Sequence, residues 1–133
     1  MNQTKILSNP RIIIIQKLYG YFLNNDSAIT FSKHKYKKFI KDVVMGTIER
    51  HELIQDFINN ELKEDVNQNK TELLLILMIK AAIYEFMYMH KVPIKVVINE
   101  YLKVSDFFVK KTQKSFLNAI LDKASKKSRS TNE

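Results

Sequence analysis

The longest apolar stretch of this chain runs from Leu73 to Met89 and reads LLLILMIKAAIYEFMYM. Its first seven residues form an unbroken apolar run, a pattern that a buried strand also shows. The stretch continues through Ala81 and Ala82, which favour helix, and the rest of the sequence offers no partner strand. A helix that is apolar on nearly all sides is buried among other elements. The stretch therefore predicts a central helix that the rest of the chain surrounds.

Two helical regions precede the central helix, because apolar residues there recur at three- and four-residue steps. The first spans 10–23, since Asn9 is a good cap and Pro10 suits the first helical position. The second spans 33–62 and contains Gly46 within its apolar stripe. Glycine inside a helix costs about 1 kcal/mol relative to alanine. Gly46 therefore marks either a kink between two helices or a point where another helix packs closely.

Two further helices follow the central one. Pro93 opens the first of them, and Thr112 is the predicted cap of the last helix. Loops are predicted at 24–33, which begins with a turn cluster, and at 63–70, which is polar and lacks apolar anchors.

Composition supports a single helical domain. The chain has 133 residues, and its two glycines and two prolines are too few for the turns of a β-sandwich or β-barrel. We therefore expect an all-α, single-domain helical bundle over 10–127. A flexible segment at 1–9 and a disordered tail at 128–133 are expected at its ends.

The formal net charge is +8, from 22 basic and 14 acidic residues. Such an excess indicates a polyanionic partner, either nucleic acid or an anionic membrane, while AT-rich codon usage is an alternative source of lysine. Lys80 and Glu85 interrupt the central stretch, which is also shorter than the ~20 apolar residues that span a bilayer. No secretory signal precedes Pro10. The sequence therefore predicts a cytoplasmic protein outside the membrane.

Charge is unevenly distributed along the chain. Residues 103–133 hold eight basic and three acidic residues, whereas residues 49–72 hold seven acidic and three basic residues. Another basic cluster lies at 33–41. Codon usage alone explains this separation poorly, so the pattern favours an anionic partner.

The start of the last helix combines three features of an RNA-binding site. Free N–H groups beside Thr112 and the charge of Lys114 attract phosphates, and Phe116 can stack on an unpaired base. Phe116 also begins an apolar stripe, so a core position is the alternative interpretation.

The sequence shows no pattern of a catalytic or metal-binding site. It has no cysteine, His51 lacks the partner histidine of the HExxH zinc motif, and no histidine has a glutamate three residues before it. We therefore predict no enzyme activity, catalytic residue, metal ligand or cofactor. Glu85 is either a functional buried charge or a carboxylate that pairs with a nearby Lys, Tyr or backbone group.

Several segments between Arg11 and Ala124 resemble the NusB family of transcription antitermination factors. The matching segments read QKLY at 16–19, AIYEF at 82–86, VPIKVVINE at 92–100 and SFLNAILDK at 115–123. The resemblance implies an all-helical fold of two packed helical halves and a role without catalysis. It also implies partners: boxA-type single-stranded RNA, a small-subunit ribosomal protein that acts as NusE and, indirectly, the RNA polymerase complex. Because some family members dimerise, a homodimer is a further expectation.

The resemblance also implies site residues by position. The positions that contact RNA in the family fall on Arg11, Lys110, Lys111, Thr112, Lys114 and Phe116. The positions implicated in binding the ribosomal protein fall on Leu75, Lys80 and Tyr84. Here the chain departs from the family, which has an acidic residue at the first of these positions and an arginine at the second.

Two further departures concern the ends of the match. The segment before Pro10 is poor in arginine, so the lysine-rich C-terminal segment would have to compensate in RNA binding. Ala119 replaces the usual glycine, which implies a looser or shifted approach of the last helix.

The leading hypothesis is an RNA-binding transcription antitermination factor that promotes read-through in ribosomal RNA operons. The alternative is a helical protein-interaction adaptor without specific RNA binding. In the first case salt weakens RNA binding steeply, and in the second no RNA binds.

Overall fold

The computed structural model describes residues 8–24 and 28–129. Helix is the only regular element in these two ranges, which confirms the predicted all-α class. The six helices are α1 (Pro10–Asn24), α2 (Lys37–Glu49), α3 (His51–Glu61), α4 (Leu73–Tyr88), α5 (Ile94–Phe108) and α6 (Thr112–Arg129).

Helix α4 is the central helix that its apolar sequence predicts. Every side chain from Leu75 to Phe86 is buried, whereas Leu73 and Tyr88 are exposed at its ends. The helices form two halves, α1–α3 and α4–α6, and α4 packs against all five others. One apolar core therefore continues from one half into the other.

The beginnings of α1 and α5 follow from their prolines and caps. Asn9 Oδ1 accepts hydrogen bonds from the backbone N–H groups of Arg11 and Ile12, at 2.9 and 3.2 Å, so Asn9 caps α1 as predicted. Pro93 is extended (ψ 146°) and immediately precedes α5, which begins at Ile94. Pro10 is thus the first residue of its helix, whereas Pro93 is the residue just before its helix.

The region 33–62 contains two helices, and the break between them falls at Arg50 rather than at Gly46. Helix α2 begins at Lys37, four residues later than predicted. Gly46 is buried in α2, where an added Cβ would overlap the ring of Tyr84. The close approach of another helix is thus confirmed, and the kink is not observed.

The end of α6 corrects the predicted domain boundary. Ser128 and Arg129 continue the helix beyond residue 127, and the Arg129 side chain is buried. Its Nε donates to the Phe86 carbonyl oxygen at 2.8 Å, and its Nη2 lies 3.2 Å from the Glu85 carbonyl oxygen. Arg129 therefore satisfies carbonyl groups at the end of α4. The rest of the expected tail, 130–133, and segment 1–7 lie outside the described residues.

Among the helices that the structure describes, none combines the length and the apolar character needed to cross a membrane.

Candidate nucleic-acid interface

The corner where α5 turns into α6 brings most of the predicted RNA-binding residues together. We call Lys110, Lys111, Thr112, Lys114, Phe116 and the neighbouring Phe107 the α5–α6 corner. Lys110, Lys111 and Thr112 are exposed at the turn. Within the described ranges, neither Lys110 nor Lys111 pairs with a carboxylate, whereas Lys114 Nζ lies 3.1 Å from Asp106 Oδ2. Two uncompensated ammonium groups therefore face solvent here.

The first turn of α6 offers fewer free N–H groups than the sequence suggests. The N–H of Gln113 donates to the Lys110 carbonyl oxygen at 2.9 Å, and the N–H of Lys114 donates to that of Lys111 at 3.1 Å. The turn carries no acidic side chain, so the positive end of the helix dipole is not neutralised locally. Attraction for anions here thus depends more on the lysines than on backbone donors.

Two aromatic rings differ in exposure at this corner. Phe116 is half-buried and packs against the core, so its core interpretation gains support. Phe107 is 41% exposed, and its ring centroid lies 4.9 Å from that of Phe108 in an edge-on arrangement. Sequence reasoning missed Phe107, although it falls outside the inward stripe of α5 that includes Tyr101 and Val104.

Arg11 occupies a different environment from the other predicted RNA-binding residues. Its Nη2 and Nε lie 2.6 and 3.1 Å from the two carboxylate oxygens of buried Glu85. Tyr101 Oη donates to Glu85 Oε2 at 2.6 Å. Burial, followed by the charge of Glu85, raises the pKa of Tyr101 well above its ordinary value, so its phenol keeps its proton.

The resemblance implies an RNA contact for Arg11, and this geometry corrects that expectation. The side chain is buried, and its guanidinium is committed to Glu85, so Arg11 is placed to hold helices together rather than to meet a phosphate. The sequence left open whether Glu85 is a functional charge or a paired carboxylate. In the structure Glu85 has a tyrosine partner, as expected, and an arginine partner, which was not expected. The interpretation of Glu85 as a paired carboxylate is the one that the structure supports.

The three residues carried over for the ribosomal partner all lie in the core. Leu75, Lys80 and Tyr84 are 1%, 7% and 8% exposed. Tyr84 fills the space beside Gly46. All three side chains therefore contribute to the core, and their contact with the ribosomal protein stays a prediction.

Lys80 is buried without a carboxylate partner in the described ranges. Its Nζ lies 2.9 Å from His51 Nε2 and 5.7 Å from the centre of the Phe22 ring. Burial lowers the pKa of Lys80. Burial, followed by the charge of Lys80, also lowers the pKa of His51.

The lysines at the far end of α6 are paired with acidic residues. Lys123 Nζ lies 2.5 Å from Asp65, Lys126 Nζ 3.1 Å from Asp122 and Lys127 Nζ 4.0 Å from Glu61. The acidic segment 49–72 thus folds against this basic segment. Because these charges are partly compensated, this end of α6 attracts a polyanion less than its sequence suggests.

Comparison with known proteins gives the fold and the family. The NusB family profile matches residues 8–126. A protein of Rickettsia bellii (strain OSU 85-389) named transcription antitermination protein NusB is 32% identical over 113 residues, covering 83% of this chain and 72% of that protein. A protein of the same name from Rickettsia akari (strain Hartford) is 30% identical over 118 residues, covering 85% and 75%.

A solved structure has the same fold. The NusB structure of T. maritima superimposes with a TM-score of 0.75 at 21% identity and covers 88% of both chains. Sequence and fold therefore agree, and the chain belongs to the NusB family of transcription antitermination factors.

Proposed function

We propose that this protein binds boxA-type single-stranded leader RNA through the α5–α6 corner. It acts with a small-subunit ribosomal protein in the role of NusE, joins the RNA polymerase complex and promotes read-through in ribosomal RNA operons. Family membership supports the role in antitermination. The observation that carries the RNA site is the pair of exposed, uncompensated lysines, Lys110 and Lys111, which follow the 41% exposed Phe107 closely in the chain.

The chemistry of the corner suits an unpaired strand. Ammonium groups neutralise phosphates and release counterions, which gives binding without sequence preference. An exposed aromatic ring stacks on a splayed base, and each such base contributes about 1–3 kcal/mol. A duplex buries its base faces, so this pairing of lysines and ring favours single-stranded RNA.

The lysines are tested with the double substitution Lys110→Gln/Lys111→Gln. We expect weaker binding of boxA-type RNA in the presence of the ribosomal partner, and a salt slope smaller by about 0.7 for each lysine lost. The control is Lys126→Gln/Lys127→Gln, which removes the same charge from the paired end of the same helix. Equal losses in the two variants would show that only net charge matters and would overturn the proposed site.

The aromatic rings are tested by comparing Phe107→Ala with Phe116→Ala. Because Phe107 is partly exposed and its main ring contact is with Phe108, its loss should lower the unfolding free energy by about 0.5–1.5 kcal/mol while reducing preference for boxA over a scrambled RNA. Phe116→Ala destabilises the fold because the ring packs against the core. Unchanged RNA preference in folded Phe107→Ala protein would contradict stacking at this ring.

A protein-interaction adaptor without specific RNA binding remains the second candidate, and one surface favours it. Leu53 is 58% exposed, and the guanidinium of Arg50 lies 4.4 Å from the centre of the exposed Tyr88 ring. Exposed aromatic and arginine side chains are typical of protein interfaces. A mobility assay at two salt concentrations, with and without the ribosomal partner, separates the candidates, because the adaptor shifts no RNA under any of these conditions.

A further inference from the structure

A groove of about 480 Å³ lies between α1 and residues 28–34, on the half of the molecule away from α6. Ile13, Phe31 and Ile40 contribute apolar surface to it. Gly20 leaves free space on the α1 side of the groove, because an added Cβ there would meet nothing within 4 Å. The volume is in the range of ligand-binding clefts.

The rim of this groove is cationic. Lys17, Lys33 and Lys37 line it, and no Asp or Glu is among its lining residues in the described ranges. Lys17 Nζ lies 5.5 Å from the centre of the Phe31 ring, so cation and aromatic surface are adjacent. His34 Nδ1 accepts the N–H of Tyr36 at 2.9 Å, which leaves His34 Nε2 to carry a proton. The groove thus offers apolar surface inside and donors at its edge.

This combination discriminates between kinds of occupant. Lysine is depleted in protein–protein interfaces, whereas nucleic-acid interfaces are much more positively charged. Three lysines with no carboxylate among the described lining residues therefore fit a phosphate backbone better than they fit a peptide. Phe31 is half-buried against the core with Lys17 beside its ring, so a nucleobase would meet the remaining exposed part of this ring together with the apolar surface of the groove.

We propose that this groove is a second RNA subsite, which takes an unpaired nucleotide with its base against Phe31 and its phosphates at Lys33 and Lys37. The inference rests on the proposed RNA-binding function. Because α6 packs on α4 and α5 while the groove is built on α1 and α2, the two subsites lie on different halves. We therefore expect a short boxA element to occupy the α5–α6 corner alone and a strand with single-stranded flanks to reach the groove as well.

Charge and shape are tested separately on two RNAs, the boxA element alone and the same element with single-stranded flanks. Lys33→Gln/Lys37→Gln is expected to weaken binding of the flanked RNA roughly tenfold and to leave the short element unchanged. Lys38→Gln/Lys41→Gln removes the same charge from α2 outside the groove and is the matched control. Gly20→Leu fills the groove without changing charge and should weaken binding of the flanked RNA but not of the short element. Gly20→Ala, which adds only a methyl group, is its control.

Occupancy is read directly from Phe31→Trp, because the chain has no tryptophan and this substitution adds a single fluorophore. Flanked RNA should quench it by stacking, and the short element should not. If the corner variant loses RNA affinity while the groove variants bind both RNAs normally, the subsite is overturned and the proposed function stands. Quenching by the ribosomal partner but not by RNA also overturns it, in favour of a peptide groove. If neither RNA binds the unsubstituted protein, both proposals fail.

Discussion

Glu85 joins three helices through its two carboxylate oxygens. It lies in α4 and is fully buried, and it binds Arg11 of α1 and Tyr101 of α5. Its neighbours can be anticipated only in part, because a sequence shows that a buried carboxylate needs a partner but not which distant residue supplies it. Arg11 is 74 residues away along the chain. The family resemblance predicts an RNA contact at this position, whereas the packing of α1 on α4 places the Arg11 side chain in the core.

The variant Glu85→Gln tests this cluster. Glutamine keeps the size of the side chain but leaves the buried Arg11 guanidinium without a counter-charge, so we expect a loss of about 3–5 kcal/mol in the free energy of unfolding. Urea denaturation measures it, with Glu52→Gln on the exposed face of α3 as the control. A loss below about 1 kcal/mol would mean that Arg11 finds water or another acceptor.

The contact between His51 and Lys80 makes stability depend on pH. The folded pKa of His51 is lowered from its ordinary value of 6.5, first by burial and then by the charge of Lys80. As pH falls through 6.5, the unfolded chain binds a proton that the folded chain refuses, so stability falls until the pH passes the folded pKa.

His51→Gln removes this titration while keeping an acceptor for Lys80. We expect its unfolding free energy to change less than that of the unsubstituted protein between about pH 7 and about pH 5. The exposed His90, changed to Gln, is the control. The same pH dependence in the His51 variant and the parent would assign the acid sensitivity to other groups.

Helix α2 shows what periodicity can and cannot predict about an element. Its apolar stripe predicts the helix, and a glycine within that stripe signals close packing, which Tyr84 of α4 confirms. The break at Arg50 has no such signal, since neither proline nor glycine marks it and both neighbouring helices continue the same apolar pattern. Similarly, a terminal Arg-Ser tail gives no hint that Arg129 lies against the carbonyl groups at the end of α4.

The two glycines of the chain are a matched pair for alanine substitution, because both lie inside helices. Gly46→Ala forces the Tyr84 ring to move and should cost about 1–3 kcal/mol of unfolding free energy. Gly20→Ala meets open space and should add about 0.5–1 kcal/mol, because alanine is the better helix former. Thermal or urea unfolding of the two variants tests the pair, and equal effects would contradict the packing of Tyr84 against α2.

Taken as a whole, the described part of the molecule buries three basic side chains (Arg11, Lys80 and Arg129) and one acidic side chain (Glu85), and its other charged side chains are not buried. The sequence predicts the charge separation, but it does not reveal that Lys123 pairs with Asp65 and Lys127 with Glu61. It also cannot show that Lys110 and Lys111 have no carboxylate partner among the described residues, because that depends on how α5 and α6 meet. Composition thus predicts an anionic partner, and the tertiary structure shows which of the basic segments lack acidic neighbours among the described residues.

Salt should therefore affect stability and binding very differently. Exposed ion pairs contribute only about 0–1 kcal/mol each, and the Arg11–Glu85 pair is shielded by burial. Raising KCl from about 0.05 M to about 0.5 M should change the unfolding free energy by less than about 1 kcal/mol and weaken RNA binding about a hundredfold. Urea titrations and RNA titrations at both concentrations measure the two effects. RNA affinity that is insensitive to salt would contradict phosphate recognition by lysine.

Lys80 provides a chemical reporter of helix motion. Its lowered pKa leaves more of the amine uncharged at neutral pH than in an ordinary lysine, and the uncharged amine is the form that acylating reagents attack. The amine is buried beside His51 of α3 and Phe22 of α1, so a reagent reaches it only when one of these helices moves away from α4. Timed acylation followed by peptide mass spectrometry would therefore report how often Lys80 becomes accessible. Lys110 and Lys111 are exposed and should react without any opening.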